Sequence, residues 1–315
     1  MRLYIGLDVG RTIRGALIDE LGAILLQRKV VSEVRSADTF LNQIVDVILR
    51  LKAEAHGPVT AAGIGWPGLV NQHANRLEAT PNQIDLSSLE PYRRLREAAG
   101  LPVLFDNDAN AGAYGEWRCG IAQGFSNVLY VAFGTGIGGA LILGGELQRG
   151  CRGFAGEFGH FKIEVTGLEC GCGSSGCLET LASGPNIVRR VRERLFSDPA
   201  FSVSQLAQDM EGTLTLERIV RAATEADELG LSVLRETAVY LGMALASAVN
   251  LLNVEMVVVG GGVMAAGELL LGPLREETMR RTIAPAAGCC RIVAGELGRD
   301  AGIVGAAMFA RDANR

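Results

Sequence analysis

Short apolar runs bounded by glycine, aspartate and proline alternate along this chain with longer segments of helical periodicity. The apolar runs predict strands, which are expected at residues 3–7, 13–18, 23–31, 61–66, 101–105 and 256–259. The segments with apolar residues every three or four positions predict helices, which are expected at residues 39–53, 109–119, 229–253 and 302–310. Because strands and helices alternate, the pattern predicts an α/β fold.

The opening pattern of the chain is repeated near its middle. Residues 3–10, Leu-Tyr-Ile-Gly-Leu-Asp-Val-Gly, are echoed by residues 129–134, Leu-Tyr-Val-Ala-Phe-Gly. Residues 15–18 are echoed in the same way by residues 139–142, both reading Gly-Ala-Leu-Ile. A chance likeness of apolar strands would explain either echo alone, but together they suggest two related halves.

Glycine-rich turns follow three of the predicted strands. The first copy of the repeat has Gly10 and Thr12 in its turn, and the second copy has the richer sequence Gly134-Thr135-Gly136. A third run, Gly260-Gly261-Gly262, follows the predicted strand at residues 256–259. Such turns present backbone N–H groups and hydroxyls with no bulky side chain, so the pattern is typical of phosphate binding.

One histidine and three cysteines lie within eighteen residues, namely His160, Cys170, Cys172 and Cys177. Three cysteines and one histidine are a complete ligand set for a closed tetrahedral zinc site. A disulfide or a reactive dithiol is the alternative, and the start of the chain shows no apolar leader that would favour an oxidising compartment. We therefore expect a structural zinc ion, with no open position for catalysis.

Composition narrows the class of protein. The chain has 315 residues, 48% of them hydrophobic and 21% charged, with a formal net charge of −5. This charge balance argues against nucleic-acid binding. No apolar segment reaches the length of about 20 residues that a membrane span needs, so a cytoplasmic protein is expected. The arginines between residues 189 and 194 are expected on a solvated helix face. The remaining cysteines, Cys119, Cys151, Cys289 and Cys290, are expected to be small buried side chains.

Taken together, these motifs resemble those of the ROK family of sugar kinases, repressors and open reading frames, and the resemblance spans nearly the whole chain. The motifs that carry it are Asp8-Val9-Gly10-Arg11-Thr12, Gly65-Trp66-Pro67-Gly68, Asn107-Asp108-Ala109-Asn110, Gly134-Thr135-Gly136-Ile137-Gly138-Gly139, Glu157-Phe158-Gly159-His160, the cysteine segment 170–179, and Gly260-Gly261-Gly262. The cysteine segment is the most specific of these motifs.

The resemblance implies the actin-like ATPase (ribonuclease H-like) fold, with two α/β domains around a central cleft. The first domain would span residues 1–118, with the C-terminal helix within residues 301–315 packing back on it. The second domain would span residues 119–300 and contain the zinc segment. The family resemblance also suggests a homodimer or a dimer-based oligomer.

The same resemblance implies ATP-dependent phosphorylation of a hexose, with ATP bound as its Mg²⁺ complex. Asp108 matches the catalytic aspartate that accepts the hydroxyl proton; without the motif, a helix N-cap would be the simpler interpretation of this residue. The positions implied for binding the sugar are Gly65, Gly68, Asn82, Asn107, Glu157, His160 and Glu179. The positions implied for binding the nucleotide and its Mg²⁺ are Asp8, Gly10, Thr12, Gly134, Thr135, Gly136, Gly260, Gly261 and Gly262. Glucose is the first candidate substrate by analogy with the glucokinases.

The first phosphate turn departs from the family pattern. The family has a second glycine where this chain has Arg11, and the hairpin from Asp8 to Asp19 is one residue shorter than usual, which removes or displaces a common lysine. Arginine can bind phosphate through its charged fork, or it can block the turn. Two alternatives therefore remain: a catalytically weak or silent sugar-binding protein, and a sugar-responsive regulator. The regulator is less favoured, because the first strand begins too early for a preceding DNA-binding helix-turn-helix. A metal-dependent hydrolase is less favoured still, because a closed zinc site has no free coordination position.

Overall fold

The fold is described from a computed structural model, which covers residues 2–33, 36–72, 76–79, 90–209 and 214–314. The strands are β1 (Leu3–Val9), β2 (Thr12–Asp19), β3 (Ile24–Val31), β4 (Val59–Trp66), β5 (Leu69–Asn71), β6 (Arg76–Ala79), β7 (Val103–Asn107), β8 (Val128–Phe133), β9 (Ile137–Leu143), β10 (Glu146–Gln148), β11 (Met256–Gly260) and β12 (Arg291–Ala294). The α-helices are α1 (Ala37–Ala53), α2 (Pro91–Ala99), α3 (Asp108–Cys119), α4 (Glu179–Ala182), α5 (Gly184–Ser197), α6 (Leu216–Thr224), α7 (Glu228–Leu252), α8 (Glu268–Arg281), α9 (Ala284–Ala287) and α10 (Ala301–Ala313).

Internal contacts divide the chain into two compact units. Unit 1 consists of Met1–Tyr130, Ala140–Gly156 and Gly295–Arg315. Unit 2 consists of Val131–Gly139 and Glu157–Ala294. The domain boundaries near residues 118 and 300 inferred from the sequence stay a prediction.

The two five-stranded sheets share one strand order. The first sheet has the order β3-β2-β1-β4-β7, and the second has the order β10-β9-β8-β11-β12. In the first sheet an antiparallel three-stranded meander is followed by β4 and β7, which run parallel to β1. In the second sheet β9 and β10 pair antiparallel, and β11 and β12 pair parallel. This shared order is what the repeated sequence pattern predicts for two related halves. The mixed sheets and their helices agree with the α/β fold class.

Helices cover both faces of the first sheet. Residues of β1 alternate between the faces, because successive side chains of a strand point in opposite directions. Leu3, Ile5 and Leu7 pack in one core with α1 and α2. Tyr4 packs in a second core, which contains residues of α3 and α10. Burial on both faces explains why β1 and β4 are nearly continuous apolar runs.

Glycines allow α10 to lie very close to the sheet and to α3. A Cβ atom at Gly6 would lie 1.9 Å from the carbonyl oxygen of Ile303, and one at Gly63 would lie 1.8 Å from that of Ala306. A Cβ atom at Gly305 of α10 would lie 1.7 Å from the carbonyl oxygen of Ala111 in α3. Any larger residue at these positions would force the backbones apart. The close contact places the N-terminus of α10 beside the end of β1.

Unit 2 is mainly helical around its strands. The long helix α7 begins at its N-cap Asp227, whose carboxylate accepts a hydrogen bond from the N–H of Gly230, and ends at Asn253 in the left-handed conformation. This helix packs against α5, α6 and α8. By length and composition it could cross a membrane, but 61% of its most apolar 18-residue window is buried, as is typical of a core helix. No other described helix meets that criterion.

The main differences from the sequence predictions concern one strand, one arginine and two cysteines. Strand β7 begins at Val103, two residues later than predicted, and continues through Asp106 and Asn107 because these pair with β4. Arg190 of α5, predicted to lie on a solvated face, is buried and forms an ion pair with Glu236 of α7. The prediction that the remaining cysteines are buried is wrong for two of them, since Cys151 and Cys289 are exposed.

Candidate functional site

The carboxyl ends of three parallel strands bring the predicted residues of unit 1 together. Asp8 of β1 lies opposite Gly65 of β4, and Gly65 lies opposite Asp106 of β7. A Cβ atom at Gly65 would lie 3.5 Å from the Cα atom of Asp108, so these two backbones are in contact. Ligands of parallel α/β sheets bind at this edge, where the strands end. The arrangement therefore places Asp8 and Asp108 on the edge of the sheet that is suited to a site.

Asn107, not Asp108, is the N-cap of α3. The side-chain oxygen of Asn107 accepts hydrogen bonds from the N–H groups of Ala109 (2.8 Å) and Asn110 (3.2 Å). Its side-chain nitrogen donates to the carbonyl oxygen of Gly68 at 3.0 Å. Asp108 is the first residue of the helix and is exposed, with one carboxylate oxygen accepting from Ala109 at 2.8 Å. Asn107 thus provides most of the N-cap of α3, a role that would have been the simpler interpretation of Asp108.

An ion pair between the buried Asp106 and Arg149 anchors the segment that carries Asn107 and Asp108. Asp106 is 1% exposed, and one of its carboxylate oxygens accepts a hydrogen bond from Nε of Arg149 at 2.8 Å and lies 2.7 Å from Nη2 of the same guanidinium in an ion pair. The other carboxylate oxygen of Asp106 accepts from the N–H of Asn107 and from the side chain of Asn110, both at 2.8 Å. Such a paired and fully bonded carboxylate holds the backbone of the next residues in one position. Arg149 was not identified from the sequence.

The first glycine turn is tied to the neighbouring strand segment. The N–H of Gly10 donates to the carbonyl oxygen of Thr12 at 3.1 Å, and the hydroxyl of Ser32 donates to the carbonyl oxygen of Gly10 at 2.5 Å. Arg11 occupies the middle of the turn with an exposed side chain. Its guanidinium forms no ion pair with a carboxylate in the part of the chain that the structure describes. Arg11 therefore leaves the turn intact and adds a positive charge to it.

Arg14 is a second charged residue at this turn that the sequence analysis missed. It lies directly opposite Asp8 in the β1–β2 pairing, and its guanidinium forms an ion pair with the Asp8 carboxylate. The same guanidinium lies 3.7 Å from the carboxylate of Asp300, the residue before α10. A cation held between two carboxylates is the expected way to keep such charges close together without a metal.

The second glycine turn, in unit 2, is held by backbone and carboxylate contacts. Gly134 donates its N–H to the carbonyl oxygen of Gly136 at 2.9 Å and accepts from the N–H of Gly184, at the start of α5, also at 2.9 Å. The carboxylate of Glu179 accepts a hydrogen bond from the N–H of Ile137 at 2.8 Å. A Cβ atom at Gly136 would lie 2.6 Å from that carboxylate. Thr135 is exposed at the tip of the turn.

The third glycine run packs onto the same turn. Gly260 ends β11, and Gly262 opens a short 3₁₀ helix. Gly261 between them has φ +89°, and a Cβ atom there would lie 2.2 Å from the carbonyl oxygen of Phe133. Only glycine fits both this conformation and this contact. Unit 2 thus brings the second and third glycine motifs together.

Glu157, His160 and Glu179 form an acidic group beside this turn. The carboxylate of Glu157 lies 3.7 Å from Nε2 of His160. Burial raises the pKa of Glu157 and repulsion from Glu179 raises it further, while His160 lowers it. A Cβ atom at Gly159 would lie 2.3 Å from the carbonyl oxygen of Ile137, so this segment also contacts the glycine turn. The cluster offers two carboxylates to a polar ligand.

The histidine and the three cysteines converge as predicted. Their ligand atoms all lie within 4.8 Å of one another, with 3.6 Å between Nδ1 of His160 and Sγ of Cys170 and 3.7 Å between Sγ of Cys172 and Sγ of Cys177. Zinc–sulfur bonds of about 2.3 Å in a tetrahedron separate two sulfurs by about 3.8 Å, so the spacing fits this ion. Burial raises the pKa of Cys170 to about 11, so zinc binding would release a proton there.

Comparisons with known proteins agree with this geometry. The model of the ROK family matches residues 4–313. The chain belongs to the ROK family. The glucokinase of Streptomyces coelicolor is 38% identical over 323 residues, covering 99% of this chain and 98% of that protein. The structure of a ROK family glucokinase from Streptomyces griseus in complex with glucose and AMPPNP has a TM-score of 0.87 and 36% identity, covering 98% of this chain and 99% of that chain. The xylose repressor of Bacillus subtilis is 30% identical, covering 98% of this chain and 77% of that protein.

Within this ROK chain, nearly all predicted site residues are accounted for in one unit or the other. Unit 1 holds the strand-end group and the first turn, and unit 2 holds the other two glycine motifs, the acidic group and the cysteine cluster. Asn82 lies outside the described residues. The roles assigned to individual side chains stay predictions.

Proposed function

We propose that this ROK protein is an ATP-dependent hexose kinase, with glucose as its first candidate substrate. The enzyme transfers the γ-phosphoryl group of ATP to a sugar hydroxyl, which in glucose is the 6-hydroxyl. The observation that carries the proposal is the exposed carboxylate of Asp108 at the end of β7, directly after the N-cap Asn107. Phosphoryl transfer needs such a carboxylate to accept the proton of the attacking hydroxyl. The full-length similarity to glucokinases supports it.

The residues of unit 1 have two tasks in this proposal. Asp108 orients the sugar hydroxyl and takes its proton, and Asn107 and the Gly65–Gly68 segment bind the sugar. Asp8 would hold the Mg²⁺ that accompanies the phosphates, and the turn of Gly10 and Thr12 would bind the phosphates. Carboxylates are the ligands that Mg²⁺ prefers, and it supplies charge neutralisation to the transferred group.

The residues of unit 2 bind the sugar and the nucleotide. Glu157 and Glu179 accept hydrogen bonds from sugar hydroxyls, and His160 can donate one through its Nε2–H. The glycine turn 134–136 with Gly260–Gly262 binds the nucleotide through backbone N–H groups. Asn82 is proposed as a further sugar contact on the motif alone. A polar ligand is selected strongly when each of its hydroxyls has a partner, because a ligand that lacks one leaves a buried group unpaired.

A structural zinc ion at the cysteine cluster completes the proposal. His160, Cys170, Cys172 and Cys177 would hold it, and it would supply rigidity, not chemistry. His160 presents Nδ1 to Cys170 and Nε2 to Glu157, so a metal ion that fixes the ring also fixes the nitrogen that faces Glu157.

We also propose that the protein is a cytoplasmic homodimer. Light scattering on the purified chain would test the homodimer.

The test is a coupled ADP-release assay with Mg²⁺ and ATP against a panel of hexoses and amino sugars. The wild type is expected to turn over one sugar best, and Asp108→Asn to lower kcat by about 10²- to 10⁴-fold with little change in sugar affinity. Asp46→Asn is the matched control, because Asp46 is an exposed aspartate in an ion pair with Arg50 on α1. Equal activity of the two variants would contradict the role of Asp108.

A sugar-binding protein without kinase activity is the second candidate. Arg11 in the first glycine turn and the similarity to xylose repressors favour it. Sugar binding by calorimetry with no turnover of any sugar in the panel would support this candidate. Recovery of turnover in Arg11→Gly would then assign the loss to the turn.

A further inference from the structure

The side chain of Lys162 lies across the loop that carries the cysteines. Its ammonium group is 2.6 Å from Oγ of Ser174, 2.9 Å from the carbonyl oxygen of Ser175 and 3.0 Å from Sγ of Cys177. An ammonium group has three hydrogens, and these three acceptors can take all of them. The backbone supports the contact, since Lys162 and Cys177 are paired in an isolated β-bridge. One side chain thus joins three of the four residues between 174 and 177.

The same loop contains tight turns, which are closed by backbone hydrogen bonds from the N–H of Cys170 to the carbonyl oxygen of Ser174 and from the N–H of Gly173 to that of Cys170. Gly173 has φ +85° and Gly176 has φ +68°, and a Cβ atom at Gly176 would lie 2.0 Å from the carbonyl oxygen of Glu164. Cys177 is fully buried, whereas Cys172 is exposed. If the exposed ligand dissociates first, the remaining sulfurs retain a metal ion only while the loop keeps its shape. Lys162 restrains the segment that ends at the buried sulfur.

Charge gives the contact a second effect. Three thiolates and a neutral histidine around Zn²⁺ carry a net charge of −1. A hydrogen-bonded ammonium group neutralises this charge locally. Groups that hydrogen-bond to metal ligands typically change metal affinity by about 10- to 100-fold.

We propose that Lys162 is a positioning residue of the zinc site, which holds the 174–177 loop and bonds to the Cys177 thiolate so that zinc leaves slowly. This inference rests on the proposed zinc site and adds to it a residue that no part of the ligand motif contains. The ligand is the zinc ion, and Lys162 acts on it through Cys177.

The chain has three lysines, Lys29, Lys52 and Lys162, so an exposed lysine far along the chain from the cysteines is available as a control. Lys162→Met removes the charge and the donors at nearly constant length, Lys162→Arg keeps the charge, and Lys29→Met is the control at an exposed position in β3. Zinc content per chain is measured first by elemental analysis of the purified wild type. Transfer of zinc from each protein to a chromogenic chelator is then followed in time.

Lys162→Met is expected to lose zinc about tenfold faster than the wild type, Lys162→Arg to fall between them, and Lys29→Met to match the wild type. The cobalt-substituted proteins give a second reading, because loss of a hydrogen bond to Cys177 shifts the sulfur-to-cobalt charge-transfer band to longer wavelength. Equal release rates and unshifted bands in all variants would overturn the role of Lys162. A wild type that binds no zinc would instead refute the proposed zinc site, and with it this inference, without affecting the kinase assay.

Discussion

Gly305 of α10 allows a sharp test of how closely this helix packs in unit 1. An alanine Cβ atom there would lie 1.7 Å from the carbonyl oxygen of Ala111 and 2.6 Å from the nitrogen of Gly115, both in α3. Because carbon–oxygen contacts begin near about 3.3 Å, the helices would have to separate by about 1.5 Å. Overpacking costs about 1–3 kcal/mol, and a clash of this depth between two backbones belongs at the upper end, about 3 kcal/mol, because separation would also loosen the contact of α10 with Gly6.

Gly305→Ala should gain up to about 1 kcal/mol from helix propensity, so the net expectation is a loss of about 2 kcal/mol. Gly302→Ala is the matched control in the same helix, because its nearest neighbour would be the Asp8 carboxylate at 3.6 Å, an ordinary contact. This control is expected to be neutral or slightly stabilising.

Urea unfolding followed by tryptophan fluorescence measures the effect. Both tryptophans of the chain, Trp66 and Trp117, belong to unit 1, and Trp117 packs against the core that contains α10. A loss of about 2 kcal/mol lowers the midpoint by about 1 M urea. A midpoint for Gly305→Ala at or above that of Gly302→Ala would refute the packing argument.

Three further results are expected. Arg149→Met should destabilise unit 1 by about 3 kcal/mol in the same unfolding experiment, because it leaves the buried Asp106 carboxylate without its counter-charge, and adding Asp106→Asn should restore part of the loss. Burial raises the pKa of Glu157 and repulsion from Glu179 adds to this. As the pH falls, Glu157 therefore takes up a proton at a pH above the usual glutamate pKa, and kcat/KM for the sugar should fall over the same pH range. Glu179→Gln removes the repulsion, so this acidic limb of the pH profile should move to lower pH. Cys172→Ser should lower zinc content per chain and weaken sugar affinity in calorimetry, and unchanged affinity in a zinc-free variant would contradict the supporting role of the metal.

The sequence predicts the strand-end groups because each motif directly follows an apolar strand. The strand pattern placed Asp8 and Asp108 at strand ends, the family resemblance supplied their expected roles, and strand pairing brings both to one sheet edge. The end of β7 was harder to predict, because the polar residues Asp106 and Asn107 extend the strand only through pairing with β4. The pair of Asp8 and Arg14 could have been found, since a hairpin with its turn at residues 10–12 places them opposite each other.

Long-range partners account for what the sequence did not indicate. Arg190 sits in an ordinary amphipathic pattern, but it is buried by contacts with Glu236 and Thr237 of α7, more than 40 residues away. Arg149 reaches Asp106 across a similar separation. Local periodicity carries no information about such pairs, because either residue alone has the composition of a solvated surface.

The hydrogen bond from the N–H of Ile137 to Glu179 would make the two proposed ligand sites of unit 2 thermodynamically dependent. If a sugar hydroxyl hydrogen-bonds to the Glu179 carboxylate, it changes the hydrogen bond to Ile137, the residue that follows the glycine turn. A phosphate that moves the turn would change the position of Glu179 in return. Linkage requires the two effects on affinity to be equal. A sugar that orders this carboxylate would thereby also order the turn, so the proposed kinase would bind its nucleotide more tightly once the sugar is bound.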